Sequence, residues 1–176
     1  MKLLLLSLSL VVAGCSNSVA TAPATVAPSP IGIPLVAGGE GTAPIPMYKG
    51  DTQYTISFPM IDILTESPGY KDIPEDSVLV VFDVVYEVQT GSLDVVGSSD
   101  FEAYLDGTEA AESASFGFGL DEIGYVTLLS GTKARGQFGY VFPRTSSTLV
   151  LYFVDKFSSE PRLWQMNLDV RSVIGD

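Results

Sequence analysis

One stretch of the sequence, Val78 to Gln89, has an apolar residue at every second position, and its other positions turn polar towards the end, with Val85 the exception. Every even position is apolar, and these residues are Val78, Val80, Phe82, Val84, Tyr86 and Val88. The odd positions begin apolar at Leu79 and Val81 and turn polar at Asp83. Successive strand side chains point to opposite faces, so the even set is predicted to face a core. The odd face is predicted to be covered at one end and solvated at the other.

Six further segments carry strand signals: Tyr54–Ile63, Phe101–Leu105, Gly124–Leu129, Gly136–Phe142, Leu149–Val154 and Leu163–Val170. The first changes its apolar parity at Pro59, which predicts a bulge or kink on an edge strand. Leu149–Val154 is apolar on both faces, as in a central strand. No segment shows a convincing helical stripe, and 110–120 has no assignable pattern. About seven short strands predict an all-β fold, an immunoglobulin-like β-sandwich over residues 47–176. The chain has one cysteine, so no internal disulfide can hold it.

The N-terminus has the layout of an export signal. Lys2 precedes an apolar run from Leu3 to Val12, which is well short of the roughly 20 residues that span a bilayer. The run ends in Val-Ala-Gly-Cys at position 15, and this resembles the lipobox of bacterial lipoproteins. The resemblance implies that residues 1–14 are a lipoprotein signal peptide. Cleavage would fall between Gly14 and Cys15, and diacylglycerol would attach to the Cys15 sulfur. Two or more acyl chains anchor a protein stably, so we expect a cell-membrane protein with its domain on the extracytoplasmic side.

Residues 15–46 follow as a lipidated N-terminus and an Ala/Pro/Ser/Thr-rich linker. Prolines every few residues disfavour a helix and favour extended, disordered chain. The segment therefore reads as a tether between the membrane and the domain. Four apolar residues could allow part of it to dock on the domain: Ile31, Ile33, Leu35 and Val36.

Several motifs of the domain resemble a known family. They are Gly50-Asp51 before Tyr54-Thr55-Ile56, Val80 to Val84, Phe101 with Asp106-Gly107, Leu129 to Thr132 before Gly136 and Phe138, and Phe142-Pro143 before Leu149 to Leu151. This set is similar to the Ig-like domain of unknown function in lipoproteins of Gram-positive bacteria, which is related in architecture to a secreted immunogenic antigen of mycobacteria. The resemblance runs from Tyr48 to Val170. Gln89 departs from it, because the family usually has Asn there. It implies an exported sandwich and no particular reaction.

Charge and composition exclude several classes of function. The net charge is −12 and no Lys/Arg cluster offsets it, so we expect no nucleic-acid partner. The sequence has no histidine, and its one cysteine is the predicted lipid site. Catalysis by a His-activated Ser or Cys is therefore excluded, and zinc or copper would lack their usual ligands. We expect no cofactor.

Two acidic groups are weak calcium candidates, because calcium prefers oxygen ligands. One comprises Asp72, Glu75 and Asp76, and the other comprises Asp106, Glu109 and Glu112. Neither has the ligand spacing of an EF-hand loop, so solvated acidic loops are the favoured interpretation.

Three hypotheses for function follow. The first is a non-enzymatic, membrane-anchored module that binds an envelope or external protein or glycan, with Tyr104 and Tyr125 as candidate contact residues. The second is a carrier of a small apolar ligand in a deep pocket between the sheets, lined by Phe116, Phe118 and Trp164. The third is a hydrolase built on two close carboxylates, whose separation depends on the fold. The first is favoured, and the protein is not expected to be an enzyme.

Overall fold

The computed structural model describes residues 31–33, 39–40, 43–114, 116–154 and 162–174, so Gly14 and Cys15 lie outside the described residues. The strands are β1 Ile31–Ile33, β2 Gly39–Glu40, β3 Ile45–Lys49, β4 Thr52–Leu64, β5 Ser77–Thr90, β6 Ser92–Val95, β7 Phe101–Leu105, β8 Glu109–Ala110, β9 Glu112–Ser113, β10 Val126–Leu129, β11 Lys133–Pro143, β12 Thr148–Val154 and β13 Arg162–Asp169. A short 3₁₀ helix, Gly97–Asp100, and one helical turn, α1 Arg171–Ile174, complete them. No helix within these ranges is long and apolar enough to cross a membrane.

The strands form two main sheets and one small one. The first sheet has the order β1-β13-β12-β7-β8. The second has the order β2-β4-β5-β11-β9, and β3 also pairs with β4. A separate two-stranded sheet joins β6 to β10. All seven predicted strands are present, and β12 is central as expected, so the all-β sandwich is confirmed. The additional strands are mostly edge pieces of two to five residues, too short to show a periodic pattern.

Strand β5 confirms the pattern from which it was predicted. Its even residues, Val78 to Val88, are buried, with at most 1% of each side chain exposed. Leu79 and Val81 are also buried, on the opposite face. Asp83, expected to be solvated, is only 4% exposed. It is buried because Arg135 on β11 donates hydrogen bonds to both of its carboxylate oxygens, Nε to Oδ1 at 3.0 Å and Nη2 to Oδ2. A buried carboxylate needs such a partner.

The main core lies between the sheets and is rich in aromatic rings. Phe138 of β11 stacks on Phe101 of β7 with 4.3 Å between ring centroids, and it stacks on Phe82 of β5 at 5.0 Å. Phe58 of β4 stacks on Trp164 of β13 at 5.5 Å. The Phe138–Phe101 and Phe58–Trp164 contacts join the two sheets directly, and the Phe138–Phe82 contact links neighbouring strands of the second sheet. Stacked and edge-to-face pairs each add about 0.5–1.5 kcal/mol beyond the burial of their area.

A second, smaller cluster covers the outer face of the second sheet. Its buried members are Leu79, Val81, Ala114, Phe118 and Val141. Two loops, 65–76 and 116–120, lie over it, and the Gly117 carbonyl accepts hydrogen bonds from the backbone N–H groups of Tyr70 and Lys71. We call this the outer cluster. It explains why the odd face of β5 begins apolar.

Strand β4 contains the predicted bulge. Ser57 pairs with Val85 and Met60 with Asp83, so two residues, Phe58 and Pro59, stand opposite Val84. The expectation of an edge strand is wrong, because β4 has partners on both sides. β5 pairs with one edge of β4, and along the other edge β3 pairs with residues 52–56 and β2 with residues 60–61. Pro59 falls in the gap between these two partners, where its missing N–H removes no ladder bond.

The sandwich also takes up parts of the proposed linker. Ile31–Ile33 pairs in parallel with Met166–Leu168, and Gly39–Glu40 pairs with Met60 and Ile61. Strand β3 begins at Ile45, ahead of the expected domain start at residue 47. Ordered structure therefore begins within 15–46. The apolar residues Ile31 and Ile33 indicated that this part could dock on the domain, and β1 does pair with β13. The strands themselves were not predicted, because strands of two or three residues among prolines and glycines carry no periodic signal.

Candidate functional site

A cavity of about 590 Å³ opens at one end of the sandwich. That volume lies within the range of about 300–1,000 Å³ typical of small-molecule sites. We call it the end cavity. Its lining comes from β3 to β6, the 3₁₀ helix, the segment before β10 and the end of β12: Lys49, Tyr54, Tyr86, Leu93, Asp94, Val96, Ser99, Asp100, Tyr125, Phe153 and Val154.

The floor of the end cavity is apolar and buried. Tyr54, Tyr86, Leu93 and Phe153 each have at most 5% of their side chain exposed. The Tyr86 ring contacts Phe153 with centroids 6.5 Å apart, and Tyr54 contacts Phe153 at the same distance. Neighbouring aromatic side chains hold this floor in place. The rim is open by contrast, since Tyr125 is 70% exposed.

One wall of the end cavity carries a positioned carboxylate, Asp100. Its Oδ2 accepts a hydrogen bond from the Tyr86 hydroxyl at 3.2 Å and another from the Val96 backbone N–H at 3.0 Å. Burial raises the pKa of Tyr86 well above its usual value, and the charge of Asp100 raises it further. Tyr86 therefore remains a neutral hydrogen-bond donor near neutral pH.

A second carboxylate, Asp94, lies on the small β6–β10 sheet. Its Oδ1 accepts a hydrogen bond from the Thr127 hydroxyl at 2.7 Å. Gly91 and Gly97 bound this strand, and both have positive φ angles, of +83° and +64°. A Cβ at position 97 would collide with the Ile123 carbonyl oxygen. The backbone at 97 can lie this close to the backbone at 123 only because residue 97 is glycine. The two glycines thereby help to fix where β6 presents Asp94.

The acidic residues of this wall were not predicted from the sequence. Leu93 and Val95 alternate with polar residues between two glycines, which indicates a short strand. That signal could have located Asp94. It could not have shown that Asp94 and Asp100 line one cavity, because the two belong to different elements and only the fold brings them there.

A second cavity, of about 450 Å³, lies beside β7 and includes Tyr104, one of the two candidate contact residues. The Tyr104 hydroxyl donates a hydrogen bond to Glu102 Oε2 at 3.2 Å, and its ring lies edge-on to Tyr152 with centroids 5.7 Å apart. Burial raises the pKa of Tyr140, which also lines this cavity, and the charge of Glu102 adds to the effect. Tyr104 and Tyr125, the other candidate, thus border different cavities.

The expected pocket between the sheets is not lined as predicted. Trp164 is buried in the main core and Phe118 in the outer cluster. Phe116 is 82% exposed and meets the exposed ring of Tyr70 edge-on at 6.1 Å. The prediction was wrong because 114–120 has no strand periodicity, so nothing in the sequence indicated on which side of the sheet its aromatic residues lie.

The six acidic residues considered as calcium ligands do not form a metal site in the structure. Asp106 Oδ1 accepts hydrogen bonds from the backbone N–H groups of Ser147 and Thr148, each at 2.9 Å. Glu112 pairs with Lys71 at 2.9 Å. The other four side chains are exposed: Asp72, Glu75, Asp76 and Glu109. Across the described ranges, no three Asp, Glu or Cys side chains approach closely enough to hold a metal ion.

A carboxylate hydrolase would need an acid with a raised pKa in a cleft. Partial burial raises the pKa of Glu122, which forms an isolated bridge with Gln137. Glu122 lines neither of the two cavities. Asp94 and Asp100 both border the end cavity. Asp100 accepts a hydrogen bond from Tyr86, which also lines the cavity, whereas Asp94 is exposed and accepts its hydrogen bond from Thr127, which is outside the lining.

Comparison with solved structures supports the fold. The chain is similar to MPT63, a secreted protein of Mycobacterium tuberculosis, with a TM-score of 0.51 and 16% identity over 80% of this chain and 98% of that one. Likenesses to ycdA, a lipoprotein candidate from Bacillus subtilis, and to a β-sandwich protein from Clostridium difficile have TM-scores of 0.49 and 0.39 and identities of 14% and 11%. The first of these covers 66% of this chain and 36% of ycdA, and the second covers 80% and 95%. No family model and no curated protein matches the sequence. At these identities the likeness to MPT63 establishes the β-sandwich fold alone.

Proposed function

We propose that this protein is a non-enzymatic binding module, held on the extracytoplasmic face of the membrane by lipid on Cys15, with the end cavity as its binding site. The observation that carries the proposal is the combination in one cavity of a buried aromatic floor and the carboxylate of Asp100, which accepts hydrogen bonds from Tyr86 and Val96. Ligand sites are typically apolar concavities with a few positioned polar groups. The partner is an envelope or external molecule, either a protein or a glycan, that inserts a group into this cavity.

The anchor rests on the resemblance of residues 12–15 to a lipobox. Thioether acylation requires the Cys15 sulfur, so Cys15→Ala should abolish incorporation of labelled fatty acid and release the protein from the membrane fraction. Ser16→Ala is the matched control, because it changes the neighbouring residue and keeps the thiol. Unchanged fatty-acid labelling and membrane retention in Cys15→Ala would contradict the anchor.

The binding site is tested by filling the end cavity. Ser99 lies exposed on the cavity wall, so Ser99→Trp should occlude the opening without entering the core. Lys133→Trp places the same ring on an exposed position at the start of β11. Envelope extracts passed over the full chain should yield a partner that Lys133→Trp retains and Ser99→Trp loses. A partner retained equally by both variants would place binding elsewhere on the surface.

The second candidate is a carrier of a small apolar ligand, which the buried aromatic floor favours. A carrier differs from an interaction module in that the molecule bound is small and leaves with the protein. Organic extraction of the full chain purified from membranes, followed by mass spectrometry, distinguishes the two. A stoichiometric small molecule that is absent from Ser99→Trp would favour the carrier.

A further inference from the structure

Strand β6 borders the end cavity and is paired along one edge. Its four residues pair with β10, and the register sets Asp94 opposite Thr127. Among the strands that the structure describes, β6 has no second partner. We call its other edge the open edge of β6. The open edge of a strand presents backbone N–H and C=O groups that another strand can pair with.

Hydrogen bonds at the two ends of β6 indicate which backbone groups point to the open edge. The Ser92 carbonyl accepts a hydrogen bond from the Thr52 hydroxyl at 3.0 Å. The Val96 N–H donates to Asp100 Oδ2 at 3.0 Å. Neither partner belongs to β10, so these two groups are directed to the open edge.

Asp94 lies midway between those two residues. In an antiparallel ladder, successive residues direct their backbone groups alternately to the two edges, so the N–H and C=O of Asp94 also point to the open edge. Residues paired in this way have closer side chains, and the Thr127 hydroxyl does reach Asp94 Oδ1 at 2.7 Å. On β10, the Leu129 N–H donates to Thr132 Oγ1 at 2.9 Å, which agrees with the same alternation.

The end cavity lies along this open edge. Leu93, Asp94 and Val96 line it from β6, and Phe153 and Val154 line it from the end of β12. Leu93 and Phe153 are each only 5% exposed, whereas Asp94 is exposed. An extended peptide in the cavity would therefore bond to the Asp94 backbone. Alternate side chains of the peptide would face the apolar floor, and the others would face solvent.

The chemistry of a strand edge favours a peptide over other occupants. An extended peptide presents an N–H and a C=O to the same side at every second residue, which matches the pair on Asp94. A hydrocarbon has neither group, and sugar hydroxyls lack this regular spacing. The chain has 21 acidic and nine basic residues, so a segment with Lys or Arg at its outward positions complements it.

We infer that the end cavity accepts an extended, basic segment of a partner protein, which adds as a strand to the open edge of β6 beside Asp94. This inference rests on the proposed function, because it names the kind of partner for the same cavity. It can fail while that function holds, because a glycan or a small molecule can occupy the cavity without pairing with β6.

The test uses a fluorescein-labelled peptide of three Lys-Val repeats. Its binding to the full chain in a non-ionic detergent is measured by fluorescence anisotropy. Two further peptides are N-methylated, one at every lysine and the other at every valine. Alternate N–H groups of a strand point to opposite edges, so one of these peptides should bind about ten-fold more weakly and the other nearly as well as the parent. Equal effects of the two methylation patterns would overturn strand addition.

A pair of protein variants tests the position of the added strand. Asp94→Pro removes the N–H at the open edge and no bond to β10, and it should weaken binding of the parent peptide about ten-fold. Asp94→Ala is the matched control, because it loses the same carboxylate and keeps the N–H, so it should retain most of the binding. Urea denaturation checks that both variants fold. If Asp94→Pro does not fold, the comparison of the methylated peptides decides the inference.

A peptide of three Glu-Val repeats tests the sign of the charge and should bind about ten-fold more weakly than the parent. Equal binding of the two would overturn the basic character of the partner. Binding of the parent peptide that is unchanged in both Asp94→Pro and Ser99→Trp would overturn the inference, by placing the strand elsewhere. No measurable binding of the parent peptide would overturn it too, and the capture experiment with Ser99→Trp would then decide the proposed function by itself.

Discussion

The main core and the outer cluster lie on opposite faces of the same strand, β5, and are built differently. The main core joins two sheets, and its contacts come from regular strands whose side chains alternate. The outer cluster joins one sheet to two loops, and its largest side chain, Phe118, comes from a segment without periodicity. The difference shows that burial follows from strand pattern where sheet meets sheet. Where a loop packs on a sheet, the conformation of the loop decides which of its side chains are buried.

The largest effect should come from breaking the main core. Phe138→Ala removes a ring that stacks on both Phe82 and Phe101, and the surrounding sheets cannot collapse into the space. We expect a loss of about 4 kcal/mol in the free energy of unfolding, enough to unfold much of the protein. Urea denaturation of the full chain measures it. A loss below about 1 kcal/mol would mean that the aromatic stack does not hold the sheets together.

A smaller effect is expected from the same truncation in the outer cluster. Phe118→Ala should cost about 2 kcal/mol, because the overlying loops can relax into part of the cavity. The change also removes a ring over which the Lys71 ammonium lies, 4.6 Å from its centroid. Amide hydrogen exchange should accelerate in 65–76 and 116–120 while β5 and β11 stay protected. Equal destabilisation of both regions would show that the two clusters unfold as one unit.

The closure of the two loops can be tested at Gly69. A Cβ there would collide with the Gly117 carbonyl oxygen and with the backbone at Phe118 and Gly119, so Gly69→Ala must push the loops apart. We expect a loss of about 1–3 kcal/mol in thermal or urea unfolding. Gly124→Ala is the matched control, because its Cβ would meet nothing within 4 Å. If the two variants were equally stable, the backbone at Gly69 would not be closely packed against the backbone at 117–119.

The smallest effect concerns a polar contact of the first sheet. Asp106 adopts a positive φ of 48° and accepts hydrogen bonds from Ser147 and Thr148, which lower its pKa. Asp106→Ala should cost about 1 kcal/mol. Asp106→Asn should cost less, because Asn keeps an acceptor oxygen and tolerates this backbone conformation.

The pH dependence of the melting temperature distinguishes the contribution of the Asp106 charge from that of its hydrogen-bonding geometry. A carboxyl whose folded pKa is lowered stabilises the protein above its unfolded pKa of about 3.9 and loses that contribution as the pH falls through the folded value. The melting-temperature difference between the native chain and Asp106→Asn should therefore shrink as the pH is lowered through this range. A constant difference would mean that the charge contributes nothing.

The alternation of apolar residues was enough to predict the sandwich and its seven principal strands. It also predicted the bulge at Pro59, because a change of parity within one strand requires an extra residue. The short strands escaped prediction, since two or three residues define no period. Among the site residues, Tyr125 was singled out as a contact candidate. Asp94 and Asp100 were not, because acidic residues near glycines look like any solvated loop.

The sequence by itself determined which residues face the main core, because side-chain direction in a strand follows from position alone. It also determined the lipobox resemblance at Cys15 and the lack of histidine chemistry, since both depend only on residue identity. Only the tertiary structure decided that Asp83 is buried beside Arg135, and that Phe118 is buried while Phe116 is exposed. Only the tertiary structure brought two carboxylates and four aromatic rings to the lining of one cavity. These outcomes depend on contacts between residues far apart in the chain, and no local pattern encodes such contacts.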